Sequence, residues 1–519
     1  MDCMETCSPL FLKGYNMKNI LEYLEKTAAT HPWNVAVDDG GVCLTWSELL
    51  DLSKSIGTAF CEKTEMQKPI VLLMEKSAVT LAAMFGAVYA GCFYVIIDPM
   101  QPSERIREIL HTLSPGIVVT MKENEKLLEK AVYGKNKCLL KDIMKERIDE
   151  GVLMAVREKS RETDLLYGIF TSGSTGIPKG IVVSHKAVID FITHFKDTFH
   201  FSDKDRIGNQ APFDFDVSVK DIYTSVMTGA TLILIPKKLF SIPPALLDYL
   251  CEKKINTLIW AVSALTLVSS LKGLKYKVPI TVKIVMFSGE VMPVKQLRMW
   301  QEALPEAEFV NLYGPTEITC NCLYYPVKRV FENEEKIPLG KPFAGRKVFL
   351  LGESGNEIVV VGEVGEICVA GESLAEGYYK NQKETEARFC YFMNNEQNQR
   401  YYRTGDLGYY DVYGELYFAG RKDFQIKHMG HRIELEEIEC ALNQIEGVEK
   451  SCCFMNQKRN RLVAFYLGDV TGEVIRTQLG KKVPSYMIPH KIIQVNQMPL
   501  NKNGKTDRNY FKNRQEVAM

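Results

Sequence analysis

The sequence predicts an α/β fold. We expect a large N-terminal domain of two parallel-rich, helix-covered sheets plus a small β-barrel, followed by a small mobile α+β C-terminal lid. Three observations carry this expectation. Short apolar runs alternate with helical stretches over the first three-fifths of the chain, strand-like runs crowd together from about Lys341, and the texture changes again beyond Asp423.

The alternating part supplies candidate strands at 70–74, 116–120, 231–235, 257–260 and 282–287. Candidate helices lie at 76–90, 185–195, 218–228 and 294–304. Crossovers of this length join parallel strands whose faces are covered by helices. The run 78–97 is almost wholly apolar and long enough to span a bilayer. However, Gly91 occupies a helix C-cap position, and 93–97 reads as a strand closed by Asp98-Pro99. A buried helix followed by a buried strand is therefore expected. Strands at 348–351, 357–361 and 366–370 form the small β unit. A strand–turn stretch over 414–420 ends near Asp423, where we place the boundary between domains 1–422 and 423–519. The helix expected at 434–445 puts Leu435, Ile438, Leu442 and Ile445 on one face.

Composition limits the function. The 519 residues are 46% hydrophobic and 25% charged, so large cores are affordable and disorder is not required. The 64 Lys+Arg balance 64 Asp+Glu, which argues against nucleic-acid or membrane-surface binding as the overall role; with 78–97 read as helix and strand, no membrane insertion is expected. Residues 423–519 carry 15 Lys+Arg against 11 Asp+Glu, a slightly basic lid on a slightly acidic body. The 14 cysteines include no CxxC pair, so free thiols in a cytoplasmic protein are expected rather than zinc. Residues 1–18 have no apolar core of a secretory signal.

The sharpest local feature is Thr171-Ser-Gly-Ser-Thr-Gly-Ile-Pro-Lys-Gly180, after an apolar strand-like run at 164–170. Gly173, Gly176 and Gly180 let backbone N–H groups approach an anion. Thr171, Ser172, Ser174 and Thr175 add hydroxyls, and Lys179 adds a cation. The set suits a polyphosphate. It is not a Walker A loop, because Pro178 precedes the lysine. A Ser/Thr/Gly linker is a poor account of so many donors in ten residues.

Further motifs follow in order: Leu44-Thr-Trp-Ser-Glu-Leu49, Ala90-Gly-Cys-Phe-Tyr-Val-Ile-Ile-Asp-Pro99, Asn311-Leu-Tyr-Gly-Pro-Thr-Glu317 and Tyr402-Arg-Thr-Gly-Asp-Leu407. Gly420-Arg-Lys-Asp-Phe-Gln-Ile-Lys427, Pro484-Ser-Tyr-Met-Ile-Pro489 and Asn503-Gly-Lys-Thr-Asp-Arg508 complete the set. With the phosphate loop, they resemble the adenylate-forming enzymes. Within these the chain is similar to the amino-acid adenylation domains of nonribosomal peptide synthesis and to D-alanine–carrier protein ligases. The resemblance covers essentially the whole chain.

It implies an AMP-forming ligase working in two steps. A substrate carboxylate attacks the α-phosphorus of ATP, and a phosphopantetheine thiol on a carrier protein then takes the acyl group. The resemblance places the phosphate loop on the β- and γ-phosphates, Thr316 on the α-phosphate and Glu317 on Mg²⁺, for which a carboxylate oxygen is apt. Gly289, Glu290, Asn311 and Tyr313 would line the nucleotide pocket. Asp406 would accept from the ribose hydroxyls, with Arg421 nearby. Lys505 would bridge substrate and α-phosphate as a movable point charge. Asp423 is the implied hinge. Its rotation would withdraw Lys505 and bring the 425–432 loop to the site, where Gly430 lends backbone freedom.

For the substrate, Asp216 lies in Pro212-Phe-Asp-Phe-Asp-Val-Ser218, just before a helix. In amino-acid activators this position pairs with the substrate ammonium, though an N-terminal helix cap is the structural alternative. The remaining lining would be Phe215, Val217, Lys220, Ser263, Met286, Ser288, Leu312, Cys320 and Asn321. Lys220 departs from the apolar residue common there and suggests an acidic or strongly polar amino acid. A Lys220 turned away or paired within the protein would leave a small amino acid, such as alanine or serine. An acyl- or aryl-CoA ligase of the same fold is a further alternative, opposed by Asp216. A binding protein that kept only the fold is opposed by the presence of Glu317, Asp406 and Lys505. His185 and Cys320 read as structural and pocket-lining. Fourteen residues follow Lys505, too few for a carrier domain, and no condensation or carrier module precedes residue 1. We therefore expect a free-standing ligase charging a carrier in trans, or a piece of a larger synthetase.

Overall fold

The computed structural model describes residues 17–131, 136–173, 176–392, 399–456, 459–499, 506–508 and 510–511. Ser174, Thr175 and Lys505 lie outside them.

The fold is mixed α/β, with a large N-terminal domain of parallel-rich sheets and a small C-terminal domain. One sheet has seven strands, in the order Gly377–Tyr378, Lys179–Ser184, Leu165–Thr171, Phe93–Ile97, Pro69–Leu73, Ile117–Thr120, Lys137–Leu139. From Leu165–Thr171 onward its pairings are parallel. The second sheet has nine strands; Glu308–Tyr313, Ile284–Ser288, Thr257–Ala261, Arg206–Asn209, Thr231–Leu234 and Val35–Asp38 run parallel at its centre. Parallel strands are buried on both faces, which is why they read as continuous apolar runs. Pro69–Leu73, Phe93–Ile97 and Thr257–Ala261 are buried at every position.

The apolar run at 78–97 is the helix Ala78–Tyr89 followed by the strand Phe93–Ile97, joined through Gly91 at φ +66°. The helix is buried on every face. It packs on the helix Trp46–Lys63 through glycines: a Cβ on Gly57 would stand 2.5 Å from the Tyr89 Cβ. Among the described residues, no helix is long and apolar enough to cross a membrane.

The predicted small barrel is a six-stranded antiparallel sheet whose pairings run as a branched path. One strand expectation there is too long. Glu357–Ile358 is all that pairs of 357–361, and Val359, Val360 and Val361 are exposed in the turn that follows. The C-terminal part has its own apolar cluster, built from Ile433, Leu435, Ile438, Leu442, Ile445 and residues further along the chain. The helix predicted at 434–445 is Leu435–Asn443, with the four expected apolar residues buried. Asp423 falls in the short link between the strands Leu416–Arg421 and Gln425–His428.

Candidate functional site

The carboxyl ends of the parallel strands carry the predicted pocket residues, where open α/β sheets leave a crevice. Met286 and Ser288 lie on Ile284–Ser288, and Asn311, Leu312 and Tyr313 on its neighbour Glu308–Tyr313. The chain then turns through Thr316–Ile318 into Thr319 and Cys320, at φ +54° and +76°. Two successive non-glycine residues in the left-handed region cost on the order of 1–3 kcal/mol each. Gly314 permits this turn, since a Cβ there would stand 2.5 Å from the Asn321 Cα. The strained turn directs Cys320 and Asn321 against the helix Val217–Thr228. Cys320 Sγ donates to the Asp216 carbonyl at 3.1 Å, and Lys220 Nζ donates to Asn321 Oδ1 at 2.7 Å.

Asp216 occupies the N-cap position, yet its side chain makes no cap hydrogen bond. Its carboxylate instead accepts from Thr316 Oγ1 at 2.7 Å. Burial pushes the Asp216 carboxyl up, opposed by the Thr316 hydroxyl and the cations Lys220 and Lys427. Val217, Lys220, Met286, Ser288, Leu312, Cys320 and Asn321 are buried, and Phe215 and Ser263 are partly exposed. Burial drives the Cys320 thiol far above its usual range, which suits a wall and not a nucleophile. His185 is likewise structural: it is buried, accepts from the Ile20 N–H, and burial pushes its pKa down to about 3.

On the other side of the crevice Glu317 is fully buried. Its carboxylate accepts from Tyr378 Oη at 2.7 Å, and Arg432 Nη1 lies 2.8 Å from each oxygen. Burial alone would raise this carboxyl; Arg432, then the Tyr378 and Tyr402 hydroxyls, outweigh it and hold it low. Asp406 is buried opposite Arg421, which donates to one carboxylate oxygen, while Tyr313 Oη donates to the other at 2.6 Å. Arg421 also grips Asp423 through Nε and Nη2, at 2.6 and 2.8 Å. Asn311 Nδ2 donates to the Pro338 carbonyl at 2.8 Å.

In the phosphate loop a Cβ on Gly173 would stand 2.0 Å from the Ile177 carbonyl oxygen, so the loop folds back only with glycine there. Gly176, at φ +85°, closes the turn on the Gly173 carbonyl. Gly180 differs from expectation: it lies in the strand Lys179–Ser184 under the Phe170 ring and serves packing, not loop freedom. Thr171 and Lys179 end the two strands that flank the loop, and Lys179 Nζ donates to Glu384 at 2.7 Å.

The C-terminal part fills the crevice with a hairpin, Gln425–His428 and His431–Glu434. Its two-residue turn has φ +53° at Met429 and +80° at Gly430, both left-handed as a tight hairpin turn demands. Gly430 N–H donates to Glu290 Oε1 at 2.6 Å, next to Gly289 at φ +96°. A Cβ on Gly430 would stand 3.4 Å from both Ala261 and Ser263. Ser172 Oγ donates to the Arg432 carbonyl, and the Glu434 N–H donates to Ser172 Oγ. Lys427 and Arg432 face each other across the hairpin. Two like charges so placed repel; here Arg432 meets Glu317, while burial, with Arg421 and Arg432, pushes the Lys427 ammonium down against the pull of Asp406 and Asp216. Lys427, Tyr378, Glu437 and Arg105 were not singled out by sequence. Their partners lie far along the chain, 332 residues apart for Arg105 and Glu437, so no local pattern marks them.

The strand ends thus bring together a loop whose N–H and hydroxyl donors face the C-terminal part, two buried carboxylates held by hydroxyl and guanidinium partners, and a hairpin bonded to both bodies. The AMP-binding enzyme family model matches residues 24–379, and the AMP-binding enzyme C-terminal domain model matches 437–505. The chain belongs to the AMP-binding enzyme family. The D-alanine–D-alanyl carrier protein ligase of Staphylococcus haemolyticus (strain JCSC1435) is 30% identical over 512 residues, covering 95% of this chain and 98% of that protein. Tyrocidine synthase 3 of Brevibacillus parabrevis is 32% identical over 505 residues, and tyrocidine synthase 1 is 29% identical over 499. These matches cover 96% and 95% of this chain but only 8% and 44% of the two synthases. The fold matches that of the Vibrio cholerae adenylation domain AlmE, solved with glycyl-adenosine-5′-phosphate, at TM-score 0.83 and 20% identity over 98% of this chain and all of that one. It also matches holo-PA1221, a nonribosomal peptide synthetase protein with adenylation and PCP domains, at TM-score 0.82 and 23% identity over 96% and 84%.

Proposed function

We propose that the protein activates an α-amino acid as its aminoacyl-adenylate, releasing pyrophosphate, and passes it to the phosphopantetheine thiol of a carrier protein. The observation that carries the amino-acid reading is Asp216. It is a carboxylate that does not cap its helix, accepts from the Thr316 hydroxyl, and makes no ion pair among the described residues. A substrate ammonium supplies a cation to pair with it. Carboxylic acids without an amine do not, which disfavours an acyl- or aryl-CoA ligase. The carrier is supported by the name of the Staphylococcus haemolyticus relative.

In the first step two anions must meet, so the site neutralises and aligns them. The loop from Thr171 to Gly176, with Lys179, holds the β- and γ-phosphates. Gly289, Glu290, Asn311 and Tyr313 flank the adenine, and Asp406 and Arg421 address the ribose. Thr316 and Lys505 address the α-phosphate. Glu317 fits a metal ion, because a guanidinium already sits on its buried carboxylate; Mg²⁺ held there would offset phosphate charge. In the second step the domain 423–519 turns about Asp423, and the hairpin that carries Lys427 and Arg432 faces the site. The described orientation supports this second arrangement.

Lys220 supports an acidic or strongly polar side chain as the substrate's distinguishing feature, since the residue is buried and pairs with no carboxylate among the described residues. Its hydrogen bond to Asn321 favours a second reading, a small amino acid such as D-alanine, for which Lys220 is satisfied by the wall. Free thiols throughout the described cysteines support a reducing, cytoplasmic setting. Amino-acid-dependent ATP–pyrophosphate exchange, run across both enantiomers, decides. Exchange with glutamate or aspartate supports the acidic reading. Exchange with alanine or serine alone, unchanged in Lys220→Ala, overturns it.

A further inference from the structure

Arg105 and Glu437 stand outside every role assigned above, yet both are buried, at 4% and 3% exposure. Arg105 belongs to the helix Ser103–Leu113 of the large domain, and Glu437 to the helix Leu435–Asn443 of the small one. One Glu437 oxygen takes the Arg105 guanidinium. The other accepts from the Gly173 N–H of the phosphate loop at 2.9 Å. A single carboxylate therefore bridges a buried guanidinium and a loop N–H that belong to the same body. The guanidinium's Nε, also buried, has no partner among the described residues. Remove Glu437 and what remains is a charge-assisted, two-donor seat for an anionic oxygen.

We propose that Arg105 and the Gly173 N–H form a binding site for a terminal phosphate of ATP or for pyrophosphate, and that Glu437 is the small domain's competitor for it. The inference rests on the adenylation reading, because it takes the loop to be the phosphate loop. Arg432 acts in parallel. It puts a cation on Glu317 while Glu437 puts an anion on Gly173, so the small domain brings stand-ins of both signs. Seat and stand-in exclude each other sterically. Pyrophosphate left in the site after the first step thus opposes the orientation described here, and its departure releases Arg105 and Gly173 to Glu437. The charges also explain why so costly a pair is buried: breaking it exposes an unpaired ion unless another anion arrives.

The test is direct binding of sodium pyrophosphate to the full chain by calorimetry, with and without Mg²⁺. Arg105→Met is expected to weaken binding about ten- to hundredfold, the loss of one charged hydrogen-bond partner, and Arg105→Lys to recover part of it. Glu437→Gln is expected to tighten binding severalfold, because the competing carboxylate is gone while its size is kept. Circular dichroism and thermal melting establish that each variant is folded. If Arg105→Met unfolds, Glu437→Gln alone decides. Unchanged pyrophosphate affinity in folded Arg105→Met, or weaker affinity in Glu437→Gln, overturns the proposal. Failure of the wild type to exchange pyrophosphate with any amino acid would instead overturn the adenylation reading, whatever the binding results.

Discussion

The two walls of the crevice are satisfied in different ways. On the substrate wall, Asp216, Lys220, Cys320 and Asn321 bond to one another or to Thr316, all within the large domain. On the nucleotide wall, Glu317, Glu290, Ser172 and Gly173 take partners from the small domain: Arg432, Gly430, Glu434 and Glu437. On the proposed two-step reading, the bonds of Asp216, Lys220, Cys320 and Asn321, like those of Asp406 and Asn311, would persist as the bodies move, and those of Glu317, Glu290, Ser172 and Gly173 would be exchanged.

This contrast can be broken by experiment. The largest effect is expected from Lys505→Ala, which should slow adenylate formation about 10²–10⁴-fold. Transfer from a supplied adenylate to the thiol should be nearly unaffected if, as proposed, the lysine acts only in the first step. Equal losses in both half-reactions, measured by single-turnover kinetics, would deny the exchange of partners. Next, Asp216→Asn should lower kcat/KM for the amino acid about 10²–10³-fold, as expected when a buried ion pair loses one partner, with the KM for ATP little changed. A loss falling on ATP instead would move Asp216 to the nucleotide wall. Arg432→Ala should slow thiol transfer about tenfold while adenylation stays within about threefold, since it removes the guanidinium that holds Glu317 in the described orientation, which the proposal assigns to the second step.

The smallest effect concerns stability and sharpens the view of the large domain as the fixed body. The folded pKa of His185 is pushed down to about 3 by burial, below its unfolded value of about 6.5. The folded state then holds fewer protons between these values. The stability is complete above about pH 6.5 and is lost as pH falls toward 3. His185→Asn keeps an acceptor for the Ile20 N–H and should flatten that acid loss in urea titrations at pH 7.5 and 5. Asp221 acts with the opposite sign: burial pushes it up to about 7, so its contribution is lost as pH rises through that value.

Much of the fold was legible because buried parallel strands and helices leave periodic or continuous apolar runs. The strands at Pro69–Leu73 and Thr257–Ala261 and the helix Val217–Thr228 lie within a residue of expectation. The exception at 357–361 is instructive: three exposed valines imitate a strand by composition, but they have no neighbour to pair with. Glu317 and Asp406 were named from sequence because resemblance carries position, and the structure buries both. Their partners were not. Nothing near Glu437 in sequence announces that it faces Arg105, and nothing in Lys220 announces that Asn321 receives it. Such pairings arise from the packing of bodies, which leaves no local periodicity.

AMP-forming activation of an amino acid, as proposed, is tested most directly by mass spectrometry of acid-quenched protein after incubation with ATP, Mg²⁺ and a panel of amino acids. The expected products are an aminoacyl-adenylate with pyrophosphate released in equal amount, and AMP only when a phosphopantetheine thiol is added. Release of ADP and phosphate, or adenylates formed only from carboxylic acids that lack an amine, would contradict it.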